Sequence, residues 1–475
     1  MTDSSAIAQH FDLAIIGTGS GNSLVTPDFD GRRVAVIEEG TFGGTCLNVG
    51  CIPTKMYVYA AEVANTIRHA SRYGIDATLD GVRWPDIRDR IFGRIDPIAE
   101  GGKAYRQQGE NTTAFLGHAE FTGPNSLTVT GADGVARQLT ADQIVIAAGA
   151  RPVIPDAIAS SGVGFHTSDT IMRIDELPER LVIVGGGYIA AEFAHVFSAL
   201  GVQVTLVVRG TALLRSLDGE ISGRFTSLAA QRWDLRLGQQ VVKAADTDGG
   251  IELGLSDGSM VTADLLLVAA GRTPNSDRLG LAAAGVRTHS DGRVVVDQYG
   301  RTAVPGVWAL GDVSSPYQLK HVANAEARVV AHNLAHPQDL RTFDRRYVPA
   351  AVFSTPQLAS VGWTEEQVRA QGRPYRCAVQ DYGDTAYGWA MEDTTGICKL
   401  ICDGETGELL GAHLMGYQAS SLIQPLVQAM SFGQRVAELA RGQYWIHPAL
   451  MEVVENALLK LGMAEPLAEP GPGET

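Results

Sequence analysis

The sequence predicts an α/β fold with two Rossmann-like units in one chain. Three observations carry this. An apolar strand runs into a glycine-rich turn twice, at residues 11–22 and again at 181–192. Each unit is later closed by an apolar strand that ends in small residues and glycine, at 144–149 and at 265–271. Between the first turn and its closing strand lies the segment GGTCLNVGCIPTK, residues 43–55, with Cys46 and Cys51 five positions apart.

The first turn contains Gly17, Gly19 and Gly21, with Asn22 where a third fingerprint glycine would stand. Glycines let the backbone approach a pyrophosphate, and a helix N-terminus then faces its charge. Pro27 and the polar residues 28–31 interrupt the following segment, which predicts only a short helix. The next strand ends at Glu38, 21 residues after Gly17. A carboxylate there accepts hydrogen bonds from ribose hydroxyls. Gly44 and Thr45, just ahead of Cys46, are grouped with these nucleotide-binding residues.

The cysteine spacing points to a reactive disulfide rather than a structural bridge or a metal site. In a regular helix, residues i and i+5 have Cα atoms roughly 8–9 Å apart. A disulfide needs about 5.5–6 Å. The helix must therefore be distorted there, and Gly50 and Pro53 are placed to allow it. Strained bridges are the labile, catalytic ones.

The second turn has Gly185, Gly187 and Ala190 at full fingerprint spacing, and its helix carries Glu192 and runs to Leu200. The strand after it ends at Arg209 rather than at an acid, with Arg215 six residues on. Arginine there favours a ribose 2′-phosphate, hence NADPH. The closing strands reach Gly149 and Gly271–Arg272, where the chain crosses over beside a cofactor. A last buried strand leads into Gly311–Asp312, whose carboxylate suits the ribityl hydroxyls of a flavin.

Length and charge bound the rest. A chain of 475 residues has room for about three domains. A net charge of −15 argues against nucleic acid and anionic membranes as partners. Five cysteines do not make a disulfide scaffold; Cys398 and Cys402 read as strand residues, and Cys377 has no ligand-like company. No metal site is expected. The absence of a signal segment and of a spanning apolar run gives a cytoplasmic expectation. Residues 1–9 and 465–475 read as frayed tails.

With these motifs in hand, residues 11–461 resemble the flavoprotein pyridine nucleotide-disulfide oxidoreductases. The resemblance implies FAD and NADPH as cofactors and four regions: 1–149 for the first part of the FAD domain, 150–275 for NADPH, 276–347 completing the FAD site, and a C-terminal α+β dimerisation domain at 348–475. It implies a homodimer in which His447 and Glu452, from the segment at 445–452, act as an acid–base pair at the other subunit's site. It pairs Lys55 with Glu192 beside the flavin. It makes Cys46 the thiol that attacks a small disulfide and Cys51 the one kept against the flavin. No cysteine follows Cys402, which disfavours branches needing a C-terminal cysteine pair. Arg209 opposes an NAD-dependent dihydrolipoamide dehydrogenase, and residues 22–31 contain no Arg or Lys to grip glutathione. The turn at 17–23 and the segments at 381–393 and 442–448 look most like the branch that reduces the disulfide of mycothiol, a polyhydroxylated thiol without carboxylates. A glutathione-type reductase is the runner-up. A redox-sensing flavoprotein without turnover is the alternative of another class, and the complete set of Cys46, Cys51, Lys55, Glu192, His447 and Glu452 argues against it.

Overall fold

The strand Gln9–Ile16 lies at the centre of the first unit, flanked in parallel by Val34–Glu38 and by Ala136–Ile146. The computed structural model describes residues 8–463. Phe11, Leu13, Ala14 and Ile15 are all buried, as a parallel strand covered on both faces requires. Thr112–Gly123 adds in parallel outside Val34–Glu38, then turns back through Ser126–Gly131 into Ala136–Ile146 as an antiparallel meander. Val307–Ala309 joins the far side of Ala136–Ile146 in parallel. The chain thus leaves the first unit and returns to finish its sheet.

The intervening unit repeats the plan. Its four-stranded parallel sheet has Arg180–Val184 between Leu265–Val268 and Gln203–Val208, with Asp234–Leu237 at the edge. A three-stranded antiparallel sheet, formed by Val241–Thr247, Gly250–Leu255 and Met260–Ala263, covers it. The two units are joined by a ribbon in which Ala150–Pro152 pairs with Arg272–Pro274. This is the crossover expected at Gly149 and Gly271.

Two helices, one from each unit, pack together. Cys51–Arg68 and Tyr188–Ala199 meet through small residues, Ala61 and Ala64 on one and Ala190, Ala191 and Ala194 on the other. Small side chains let the backbones approach, and aromatic rings close the seam. Tyr57 stacks on Trp84 at 4.7 Å, and Trp84 meets Phe197 at 5.7 Å. The Tyr57 hydroxyl donates to the Met172 carbonyl at 2.6 Å, so its one polar group is satisfied. Truncating a buried aromatic of this kind costs about 3–5 kcal/mol.

The C-terminal region is α+β. Five antiparallel strands run in the order Ala350–Val352, Gln357–Gly362, Leu409–Gly416, Ile397–Asp403, Tyr375–Asp381. Helices including Gln424–Ser431 and Glu452–Lys460 pack on this sheet. Cys398 and Cys402 are buried in the strand Ile397–Asp403, and Cys377 lies exposed on its neighbour.

Two expectations need correction. Gln9 opens a strand rather than ending a frayed tail; the remaining tail residues, 1–7 and 465–475, lie outside the described residues. The short helix expected after the first turn is a single 3-10 turn, Ser20–Leu24. Asn22 there is gripped by Arg106, which donates from Nε to its Oδ1 and from Nη2 to its carbonyl, both at 2.7 Å.

Candidate active site

The cysteine segment folds as two helices rather than one distorted helix. Gly44–Asn48 ends at Val49, and Cys51–Arg68 begins two residues later. Gly50 makes the break possible. A Cβ on it would stand 2.8 Å from the Thr45 carbonyl oxygen and 3.2 Å from the Cys46 Cα. Only glycine lets the start of the second helix close onto Cys46. Pro53 sits in the first turn of that helix, where its missing N–H costs nothing, so it starts the helix instead of bending it.

Both residues are free thiols here. A hydrogen bond from the Cys51 thiol is the main influence on Cys46 and, against opposing burial, draws its pKa down to about 7. The Lys320 ammonium and the backbone N–H groups of Cys51 and Ile52 add to this. Cys51 is pushed the other way, by its bond to Cys46, by burial and by the neighbouring thiolate charge, with Lys55 opposing. Two neighbouring thiols share the first negative charge as a pair.

Lys55 and Glu192 face each other across the helix seam. Lys55 Nζ lies 2.7 Å from Glu192 Oε2, and its ammonium stands 4.2 Å over the Phe353 ring. Glu192 is buried, and its other oxygen accepts from the Phe353 N–H at 3.0 Å. The carboxylate is therefore held from two sides.

These groups line one connected cavity of about 1550 Å³. Ordinary ligand pockets run to roughly 300–1,000 Å³, so this one has room for more than a single small molecule. Its walls fit a dinucleotide. Gly17 has φ +103° and would drive a Cβ to 2.4 Å from the Ala147 carbonyl; Gly44, at φ +68°, would drive one to 2.5 Å from the Gly19 Cα. These glycines bring bare backbone to the floor of the cavity. Around Gly187 and Gly149 no atom stands within 4 Å of such a Cβ, so space for a ligand lies directly over the main chain.

Glu38 lines the same wall. Its Oε2 accepts from the Thr18 N–H at 2.9 Å and hydroxyl at 2.6 Å, and its Oε1 from the Gly40 N–H at 2.9 Å. A carboxylate has about four acceptor positions, so capacity for a hydroxyl remains. Thr45, Gly19, Arg272 and Asp312 also line the cavity. Burial raises the Asp312 carboxyl, with Arg272 opposing. The Gly311 N–H donates to Glu326 Oε2 at 2.8 Å, which fixes this turn.

Other predicted residues stand apart. Gly21 lies beneath the first turn, its Cβ position 2.8 Å from the Ala147 side chain. Gly185 lies beneath the second, its Cβ position 2.1 Å from the Ala269 carbonyl. Ala190 is buried in the helix seam, and Gly271 (φ +127°) turns the chain ahead of Arg272. Arg209 and Arg215 are exposed beyond the end of Gln203–Val208, outside the cavity, with Arg215 lying over Gly210. His447 and Glu452 are also outside it. Glu452 Oε1 lies 2.5 Å from His447 Nδ1; the imidazole is 69% exposed and the carboxylate 13%. The His447–Glu452 pair thus lies apart from the cavity of its own chain. Around it Tyr444 and Ile446 are exposed apolar residues.

Sequence reasoning passed over Arg106 and Lys320. Arg106 is a buried guanidinium from the long helix Trp84–Gln108, and nothing local in the sequence links it to Asn22. Lys320 opens the helix Lys320–Ala335 and lines the cavity near Cys46.

Two dinucleotide folds meeting at a paired thiol define a redox enzyme that moves electrons between a nucleotide and sulfur. The chain belongs to the pyridine nucleotide-disulphide oxidoreductase family, matched over residues 11–327, with the family's dimerisation domain matched over 348–458. It is 61% identical to a mycothione reductase of Mycobacterium tuberculosis over 95% of this chain and 99% of the relative. A glutathione reductase of Burkholderia cepacia is 35% identical over 93% of this chain and 97% of its own. The HOCl-induced flavoprotein disulfide reductase of Escherichia coli superposes with a TM-score of 0.85 at 29% identity, over 95% of this chain and 99% of that one. The chain is thus a disulfide reductase working with FAD and NADPH. Among the described residues no helix is long and apolar enough to cross a membrane, and no cluster of candidate metal ligands is found.

Proposed function

We propose that the chain reduces the disulfide of mycothiol to the free thiol, and that Cys46, Cys51, Lys55, Glu192, His447 and Glu452 are the residues that do it. The observation that carries the reading is the thiol pair in the cavity with the Lys55–Glu192 pair. The regions 1–149, 150–275, 276–347 and 348–475 are taken as FAD, NADPH, central and interface parts. Gly17, Gly19, Gly21, Glu38, Gly44, Thr45, Gly149, Gly311 and Asp312 would hold FAD. Gly185, Gly187, Ala190, Arg209, Arg215, Gly271 and Arg272 would hold NADPH. Held by these residues, FAD would supply the two-electron relay between NADPH and the cysteine pair.

The protein's own steps follow. Cys46, ionised, attacks one sulfur of the substrate. The substrate S–S bond breaks and a mixed disulfide with Cys46 forms. The departing thiolate takes a proton from His447, which Glu452 orients through Nδ1. Cys51 then attacks the Cys46 sulfur, releases the second thiol and restores the Cys46–Cys51 bridge. Because His447 is exposed and does not line its own cavity, it serves the site of the other subunit in a homodimer.

The substrate is tested by NADPH oxidation with mycothiol disulfide, glutathione disulfide and lipoamide. Turnover with the first should exceed that with the others by at least about tenfold, the effect of one well-matched polar contact. Better turnover of glutathione disulfide would overturn the assignment.

A further inference from the structure

The first glycine turn lacks the helix that normally stands behind it. Ser20–Leu24 is one 3-10 turn, and Pro27 follows. In a continuing α-helix the Asn22 carbonyl would accept the N–H of residue 26. Here the Thr26 N–H goes to the Leu24 carbonyl at 3.0 Å, so the Asn22 carbonyl has no helical partner. Arg106 takes it. Its Nη2 donates to that carbonyl and its Nε to Asn22 Oδ1, both at 2.7 Å. The planar guanidinium thus closes on two oxygens of one residue. A glycine at position 22, as the fingerprint would have, offers only one of them.

Arg106 is itself held in place. It is buried in the last turn of Trp84–Gln108, and its carbonyl accepts from the Thr112 hydroxyl at 2.7 Å, at the start of the strand Thr112–Gly123. Its guanidinium lies 5.2 Å from the centre of the Tyr105 ring. These partners are neutral, and among the described residues the guanidinium forms no ion pair with a carboxylate. A buried cation without a counter-charge is costly to keep. On the cavity side, Gly17, Thr18, Gly19 and Ser20 line the space over the turn. The Ser20 hydroxyl accepts from Lys320 Nζ and donates to Asn324 Oδ1, each at 3.0 Å. The residues on either side of Gly21 are therefore fixed by two distant helices, Trp84–Gln108 and Lys320–Ala335.

We propose that Arg106 is a positioning residue for FAD: gripping both oxygens of Asn22, it takes the place of the missing helix and holds the glycine turn in the form that receives the FAD pyrophosphate. A full helix would place roughly half a positive charge behind the phosphates. A single 3-10 turn supplies little of that, and the guanidinium brings a whole charge to the turn. Asn22 and Arg106 thus form one unit, in which the asparagine at the fingerprint position supplies the second acceptor. This deepens the proposed function, since it rests on Gly17, Gly19 and Gly21 holding FAD.

The test follows FAD release from the FAD-loaded enzyme after dilution, well below its unfolding temperature, by the rise in flavin fluorescence. Arg106→Met should release FAD at least about tenfold faster, the effect of losing a hydrogen bond to a charged group. Arg106→Lys keeps the charge and one donor, and its rate should fall between the two. Asn22→Ala should also hasten release. The double variant should release FAD no faster than Arg106→Met alone, because the two residues act as a pair. The affinity for NADP+, by calorimetry on the loaded enzyme, should stay as in the wild type, since a general loosening of the fold would weaken both nucleotides. Arg106→Lys and Asn22→Ala carry the comparison should Arg106→Met fail to fold. A wild-type release rate in these variants overturns the role of Arg106, and so does a joint loss of FAD and NADP+ affinity. Gly19→Ala tests the reading beneath it. A Cβ there meets only the Gly44 Cα, at 3.8 Å, so the methyl is accepted by the fold and intrudes on the cavity instead. Unchanged FAD release in Gly19→Ala would overturn the assignment of this turn to FAD.

Discussion

At the residue scale, the proposed role of Arg209 at the end of a strand can be put to a direct test. Gln203–Val208 has the place where a carboxylate would select unphosphorylated ribose, and the chain supplies a guanidinium instead. It is exposed and lies outside the main cavity, which leaves it free to meet a phosphate that projects from the adenosine end. A charge-assisted contact there contributes about 1.5–3 kcal/mol, or roughly 10- to 150-fold in preference. NADPH should therefore exceed NADH in kcat/KM by that margin, and Arg209→Glu should invert the preference. Equal use of both cofactors by the wild type would sink the reading. At this same scale the two thiols are pushed in opposite directions, Cys46 down and Cys51 up, by their contact with each other.

At the scale of elements, one buried cation joins the second Rossmann-like unit to the C-terminal sheet. Lys399, on the strand Ile397–Asp403, is 3% exposed. Its ammonium meets Asp218 at 2.9 Å, Glu365 at 2.7 Å and Glu220 at 3.4 Å. Asp218 also caps the helix Gly219–Ala229 and accepts from the Glu365 N–H at 3.0 Å. Burial alone would raise Asp218, but the Glu365 N–H and the Lys399 ammonium hold it below its ordinary value; Lys399 likewise lowers Glu365. Lys399→Met leaves these carboxylates uncompensated, at a cost of about 3–5 kcal/mol. The sign with pH follows from the lowered values. Lowered carboxylates stabilise the fold above their unfolded pKa and lose that contribution as pH falls through the folded one. The thermal midpoint of Lys399→Met should thus fall well below wild type at pH 7, and the gap should narrow toward about pH 4 and below. A constant gap would show that the network carries no linkage.

Elements also show what the sequence made legible. Both glycine turns, their strands and the closing strands could be read, because each is a local pattern with a steric cause. The missing first helix was only half legible. Pro27 announced the break, but the grip of Arg106 on Asn22 spans 84 positions and leaves no local trace. The split at Gly50 was legible as a need for distortion, not as two helices. The antiparallel cover formed by residues 241–263 raised no expectation, since short half-exposed strands carry weak periodicity. Lys320 stayed hidden because its hydrogen-bond partner Ser20 lies 300 positions away.

The whole molecule poses the question of where the proposed acid–base pair of His447 and Glu452 works. The structure holds the thiols in a cavity of one chain, while His447 and Glu452 lie outside that cavity among exposed apolar side chains. If the pair serves the neighbouring subunit, each site needs Cys46 and Cys51 from one chain and His447 with Glu452 from the other. Release of the Cys46 and Cys51 thiols by NADPH should then survive in His447→Ala, because opening the bridge precedes the protonation of the product. Disulfide turnover should fall by about 10²–10⁴-fold, the usual contribution of a positioned acid or base. Mixing the inactive variants Cys46→Ser and His447→Ala by unfolding and refolding separates the geometries. Random pairing makes about half of the dimers mixed, and under two-fold symmetry each mixed dimer has one site with both defects and one with neither. Activity should therefore return to about a quarter of wild type, by counting intact sites under that symmetry. Refolded, flavin-loaded dimers without recovery would place the action of His447 within its own chain and remove the shared site from the mechanism.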